Sequence, residues 1–119
     1  MIKSLCSALL LLSTPLMAKE DGKTIYTTKL CVTCHGIDGK PTAPIYPTIF
    51  GKDKDCMAKE YQAIMAGQRQ GMAATMKAML ATQKLSEAQV KAVLEWVASQ
   101  KAVAGAKDPA TVKCKIKTK

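Results

Sequence analysis

The sequence predicts an all-α fold of short helices, and three observations predict it. Apolar residues recur at helical spacing in separate stretches, and no stretch shows the alternation of a strand. Ser86 and Gln89 form a capping box in front of an apolar run, a strong helix-start signal. Finally, the chain holds 119 residues but only five aromatic ones, Tyr26, Tyr46, Phe50, Tyr61 and Trp96. A chain this small gains from a covalent staple, a metal or a cofactor.

Taken in order, residues 1–18 read as a signal peptide rather than as part of the fold. Lys3 supplies a positive start, Leu5 to Leu12 an apolar run, and Ser13-Thr14-Pro15 a break before the small-residue site Leu16-Met17-Ala18. The apolar run is well short of the roughly 20 residues of a spanning helix. The expected mature chain therefore has no integral membrane segment and lies in the periplasm. Residues 19–101 form the expected domain, and residues 102–119 a basic C-terminal extension.

Asp21 to Leu30 reads as a short helix, with Gly22, Ile25, Tyr26, Lys29 and Leu30 at near-helical spacing. Three threonines weaken it, and a helix this short is marginal in water unless it docks. The run from Gly36 to Phe50 contains Gly39, Pro41, Pro44 and Pro47, so it reads as a stiff, irregular loop. Asp53 or Asp55 caps a second helix running to about Ala66, stopped by Gly67. A Met-rich segment, Met72 to Leu80, precedes the polar joint Thr82-Gln83-Lys84. The last helix starts at the Ser86 capping box, with Leu85 and Val90 at the staple positions, and runs to about Gln100 or Lys101. Val90, Val93, Leu94 and Val97 mark its apolar face. Gly105 and Pro109 break any helix beyond it.

The chemistry concentrates in Cys31-Val32-Thr33-Cys34-His35-Gly36. In a C-x-x-C-H run the two thiols are spaced to form thioethers to one porphyrin, and the histidine lies beneath its iron. Thiol redox chemistry and zinc binding use C-x-x-C as well. The first wants a βαβ pattern, which is absent from the sequence. The second would need Cys56 and Cys114 as thiolates in an oxidising compartment. One covalent haem c is the expected cofactor, with Cys31 and Cys34 as its attachment points and His35 as the proximal iron ligand.

His35 is the only histidine of the chain. A second histidine ligand from this chain is thereby excluded, and the sulfurs of Met57, Met65, Met72, Met76 and Met79 become the main candidates for the distal position. Most methionines at such helical spacing are core filling. The remaining thiols, Cys56 and Cys114, form an even pair expected to close a disulfide, worth roughly 4 kcal/mol in the chain-entropy model.

Removing Lys3 from the 18 basic residues leaves 17 against 9 acidic ones, a net charge near +8. Export and the lack of an aromatic-interleaved basic motif exclude nucleic acid as the partner. Acidic protein partners fit better.

The quoted residues resemble the class I c-type cytochromes, of the small bacterial one-haem kind, over about Gly22 to Ser99. Gly22-Lys23-Thr24-Ile25-Tyr26 before the C-x-x-C-H run is similar to that family's first helix and haem site. Asp38-Gly39 and Ala43-Pro44-Ile45-Tyr46-Pro47 are similar to its haem-flanking loop. The resemblance implies a compact all-α fold of three to five helices around one covalent haem. It implies that the Pro44 carbonyl, with Pro47 as runner-up, accepts a hydrogen bond from His35. It also implies Met76, in Met76-Lys77-Ala78-Met79, as the distal ligand, ahead of Met79 and then Met72. Val93 and Trp96 match positions that pack on Gly22 and Tyr26. The lysine-rich tail, Cys114 and Cys56 lie outside the family pattern.

The function expected is that of a one-electron carrier, not an enzyme: a monomer meeting acidic redox partners such as a respiratory oxidase, a reductase or a periplasmic dehydrogenase. Two alternatives stay open. The chain is the small haem subunit of a larger redox complex, or its sixth iron position is open for gas binding or peroxidase-like chemistry.

Overall fold

Asp21 starts the first helix by accepting a 2.8 Å hydrogen bond from the Thr24 amide, which satisfies one of the helix's orphan donors. The structure, a computed structural model, describes residues 21–105. The expected signal peptide and Cys114 lie outside the described residues. Helix α1 spans Gly22–Thr28 and closes where the Lys29 amide donates to the Ile25 carbonyl. Leu30 then takes a left-handed conformation (φ 70°) and turns the chain into α2, Cys31–His35. This one-turn helix sets both thiols and the imidazole at fixed spacing.

Helix α3, Lys54–Met65, is capped by Asp53, whose carboxylate accepts from the Cys56 amide at 2.8 Å. It stops at Ala66 and Gly67, as the sequence predicts. The Met-rich segment is a full helix, α4, Met72–Gln83, bounded by Gly71 and by a left-handed Lys84. Helix α5, Glu87–Ser99, carries both bonds of the expected capping box, at 3.1 Å and 2.9 Å. Among the described residues there is no strand, and the architecture is the all-α fold expected.

The core sits where α1 crosses α5. Ile25, Tyr26, Phe50, Met57, Val93 and Val97 are its buried members. Tyr26, Phe50 and Trp96 form an aromatic triad with ring centroids 5.1–5.5 Å apart. Gly22 makes the crossing possible, because a Cβ there would fall on the Ala92 carbonyl and on Trp96 Cβ. Three of the five aromatic side chains are spent on this one cluster. The space between α2, the proline loop, α3 and α4 is left as an open side.

Candidate functional site

That open side is a cavity of about 1300 Å³, larger than the roughly 300–1,000 Å³ of ordinary small-ligand clefts. One end is set by α2, whose Cys31, Cys34 and His35 all line it. Cys31 and Cys34 are free thiols, both half-buried. Burial pushes the Cys31 thiol above its usual range.

His35 is buried, and its Nδ1 lies 3.0 Å from the Pro47 carbonyl oxygen. A carbonyl only accepts, so Nδ1 carries the proton and donates, and Nε2 keeps its lone pair. Burial holds the imidazole below its ordinary pKa. The Lys52 charge adds to that, and the Pro47 bond opposes it. A neutral ring with a fixed tautomer is what iron ligation requires.

The carbonyl partner differs from the Pro44 implied by the family resemblance. The Tyr46 amide donates to the Ala43 carbonyl at 3.1 Å, closing a turn over Pro44 and Ile45. That turn leaves Pro44 exposed at its tip and brings Pro47 back to the imidazole. The Thr42 amide and hydroxyl anchor the start of the loop on the Cys34 and Thr33 carbonyls. Tyr26 ties α1 to the end of α2, its hydroxyl donating to the Gly36 carbonyl at 2.6 Å.

Helix α4 brings Met72, Met76 and Met79 to the same space. Met76 and Met79 are half-buried, while Met72 is exposed at the rim. Met57 is instead a core residue, and Met65 is not among the residues lining the cavity. Of the five sulfurs considered from sequence, three thus reach the site.

The third wall was not legible beforehand. Cys56, Glu60 and Ile64 of α3 line the cavity, as do Val103, Ala104 and Gly105 after α5. The i, i+4, i+8 spacing of the first three was the available clue. Cys56 is disulfide-bonded, and its expected partner Cys114 lies outside the described residues. Tyr46 is a further addition. It lines the cavity, and its neighbour Cys34 pushes its hydroxyl above the usual phenol range.

The donor set fits a porphyrin with iron. Two free thiols, a buried, neutral imidazole and methionine sulfurs line one cavity, whose volume takes a large group. Among the described residues no cluster of three or more His, Cys, Asp or Glu could hold a separate metal ion; the zinc alternative needs Cys114, which lies outside them.

Comparison with known proteins agrees. Residues 19–101 match the family model described as cytochrome c. Over 70 residues the chain is 36% identical to cytochrome c-554(548) of Halomonas halodenitrificans, covering 59% of this chain and 83% of that protein. Over 91 residues it is 32% identical to cytochrome c4 of Stutzerimonas stutzeri, covering 71% of this chain but only 42% of that protein.

Proposed function

The chain belongs to the cytochrome c family, and from that premise we propose a periplasmic electron carrier with His35 and Met76 as axial ligands of its haem. The family implies one covalent haem c and electron transfer rather than catalysis. When bound, the haem supplies a one-electron Fe(III)/Fe(II) couple. Everything else is the work of this chain's own residues.

Cys31 and Cys34 hold the group by thioethers. Pro47 fixes the His35 tautomer and aims Nε2 away from the loop. Met76 is the sulfur chosen because it is half-buried on the cavity face of α4 and first in its Met-x-x-Met pattern. With His35 and Met76 both holding the iron, no position would be left for substrate, and the chemistry supplied would be electron exchange. The observation that carries this reading is the single cavity shared by a Pro47-anchored His35 and by Met76.

Visible and near-infrared spectra of the purified protein test it. The oxidised form is expected to show a methionine-to-iron charge-transfer band that disappears in Met76→Ala, and carbon monoxide should leave the reduced spectrum unchanged. A wild type without the band, or one that binds carbon monoxide readily, would overturn the ligand assignment.

Export after cleavage at Ala18 and a Cys56–Cys114 disulfide belong to the same proposal. The disulfide is supported by the bonded state of Cys56. Non-reduced peptide mass spectrometry should find the two cysteines joined and the mature chain starting at Lys19. The partners proposed are acidic redox proteins, namely an oxidase, a reductase or a periplasmic dehydrogenase. No helix among the described residues is long and apolar enough to cross a membrane.

A further inference from the structure

Thr48 follows Pro47 directly and is only 7% exposed, yet its hydroxyl has no hydrogen-bond partner among the described residues. The other threonines behave differently. Thr27, Thr28, Thr42 and Thr82 donate to backbone carbonyls at 2.6–3.0 Å. Thr24, Thr33 and Thr75, which make no such bond, are exposed to solvent.

A hydroxyl taken out of water without a partner is unfavourable, and buried polar groups in folded proteins are nearly always paired. No side-chain polar atom of the described residues is both sealed from solvent and unpartnered. The Thr48 hydroxyl therefore keeps an open face, and the cavity is the open space that Thr48 lines. A group that fills the cavity can offer the missing acceptor.

The porphyrin of haem c carries two propionate carboxylates, which are acceptors. Lys52, half-buried one turn further on, and Arg69 line the same cavity and bring positive charge to it. We propose that the Thr48 hydroxyl donates to a propionate carboxylate of the haem. Thr48 is then a positioning residue: it seats the porphyrin edge beside the Pro47–His35 pair and offsets part of the carboxylate's charge. This rests on the reading that haem occupies the cavity.

Removing the donor leaves the propionate charge less compensated. Negative charge near the iron favours Fe(III) over Fe(II), so the reduction potential falls. Thr48→Val keeps the shape of the side chain without the hydroxyl, and Thr48→Ser keeps the hydroxyl.

The test is equilibrium redox titration of both holoproteins, together with infrared spectra of the propionate stretch. A lower potential and a shifted carboxylate band are expected in the valine variant, with wild-type values of both in the serine variant. Thr48→Ala is the second variant should valine disturb loading, and the same lowering is required of it. Unchanged potential and unchanged carboxylate band in Thr48→Val overturn the proposal and assign the hydroxyl to water. So does an equal drop in Thr48→Ser, which would make the effect one of packing. The charge-transfer band separates the two readings. If it is present while Thr48→Val is silent, only this inference fails; if no haem c is attached, both fail.

Discussion

Tyr26 joins the core to the site in a single side chain. Its ring is buried in the aromatic triad, and its hydroxyl donates to the Gly36 carbonyl just past His35. Tyr26→Phe removes that bond, but Gly36 still accepts from the Gly39 amide at 3.3 Å. The expected loss is therefore about 1 kcal/mol, as for an ordinary net hydrogen bond, measured by denaturant unfolding. The pH dependence has a definite sign. Burial pushes the phenol well above its usual value near 10. A raised folded pKa means stability fully present below the unfolded pKa and lost as pH rises beyond it. The advantage of wild type over Tyr26→Phe should thus hold through neutral pH and shrink above about pH 10. An advantage that grows in alkali would contradict the burial argument. Gly22 fails differently: Gly22→Ala drives a methyl into the Ala92 carbonyl and the Trp96 side chain. Overpacking of that kind costs about 1–3 kcal/mol, and thermal unfolding should show it without any change in the haem spectrum.

At the scale of elements, the helices differ in what holds them. Helix α5 has a complete capping box and an apolar face on both α1 and α3. Ser86→Ala should therefore cost only about 1 kcal/mol, the ordinary worth of a cap. Helix α4 has no buried residue and, of the described helices, packs on α3 alone, and its Met76, Met79 and Leu80 line the cavity. A helix of 12 residues is marginal without packing, so its docking depends on what the cavity holds. In the double variant Cys31→Ala/Cys34→Ala, which cannot form the thioethers, hydrogen exchange should lose protection over 72–83 while α1 and α5 keep theirs. Uniform loss across the chain would refute this uneven dependence. The same contrast explains what the sequence disclosed. Caps and apolar spacing are local, so α3 and α5 were legible almost to their ends, and His35 stood out by its place directly after Cys34 in the C-x-x-C-H run. The choice of Pro47 over Pro44 was not legible, because it depends on a three-dimensional turn closed by the Tyr46 amide. Thr48 left no pattern either: a single hydroxyl in a proline loop reads as solvent-exposed until the fold buries it.

For the whole molecule, charge and apolar surface divide the work of meeting a partner. Four large apolar side chains are exposed among the described residues, and three of them, Leu30, Ile45 and Met72, stand on the cavity rim. Ile45 is the most exposed of these three, at 61%, held out by the turn that also exposes Pro44. Around the same rim lie Lys29 and Lys40, part of a chain with a net charge of +9. Long-range attraction acts before contact and is screened over about 8 Å at physiological ionic strength, whereas apolar contact acts only once water has been expelled. Substituting a rim lysine should therefore change the association rate, and substituting a rim apolar residue the dissociation rate. With an acidic redox protein as partner, Lys40→Glu is expected to slow association several-fold at low salt. It should also flatten the salt dependence, and its rate should converge on wild type near 1 M salt, where screening reaches about 3 Å. Ile45→Ser should keep the wild-type association rate and salt slope but dissociate faster, by roughly 10-fold if it forfeits about 1.4 kcal/mol of buried contact. Stopped-flow electron transfer across a salt series measures both. If Ile45→Ser slows association as much as Lys40→Glu does, encounter and docking are not separate steps on this rim, and the division fails.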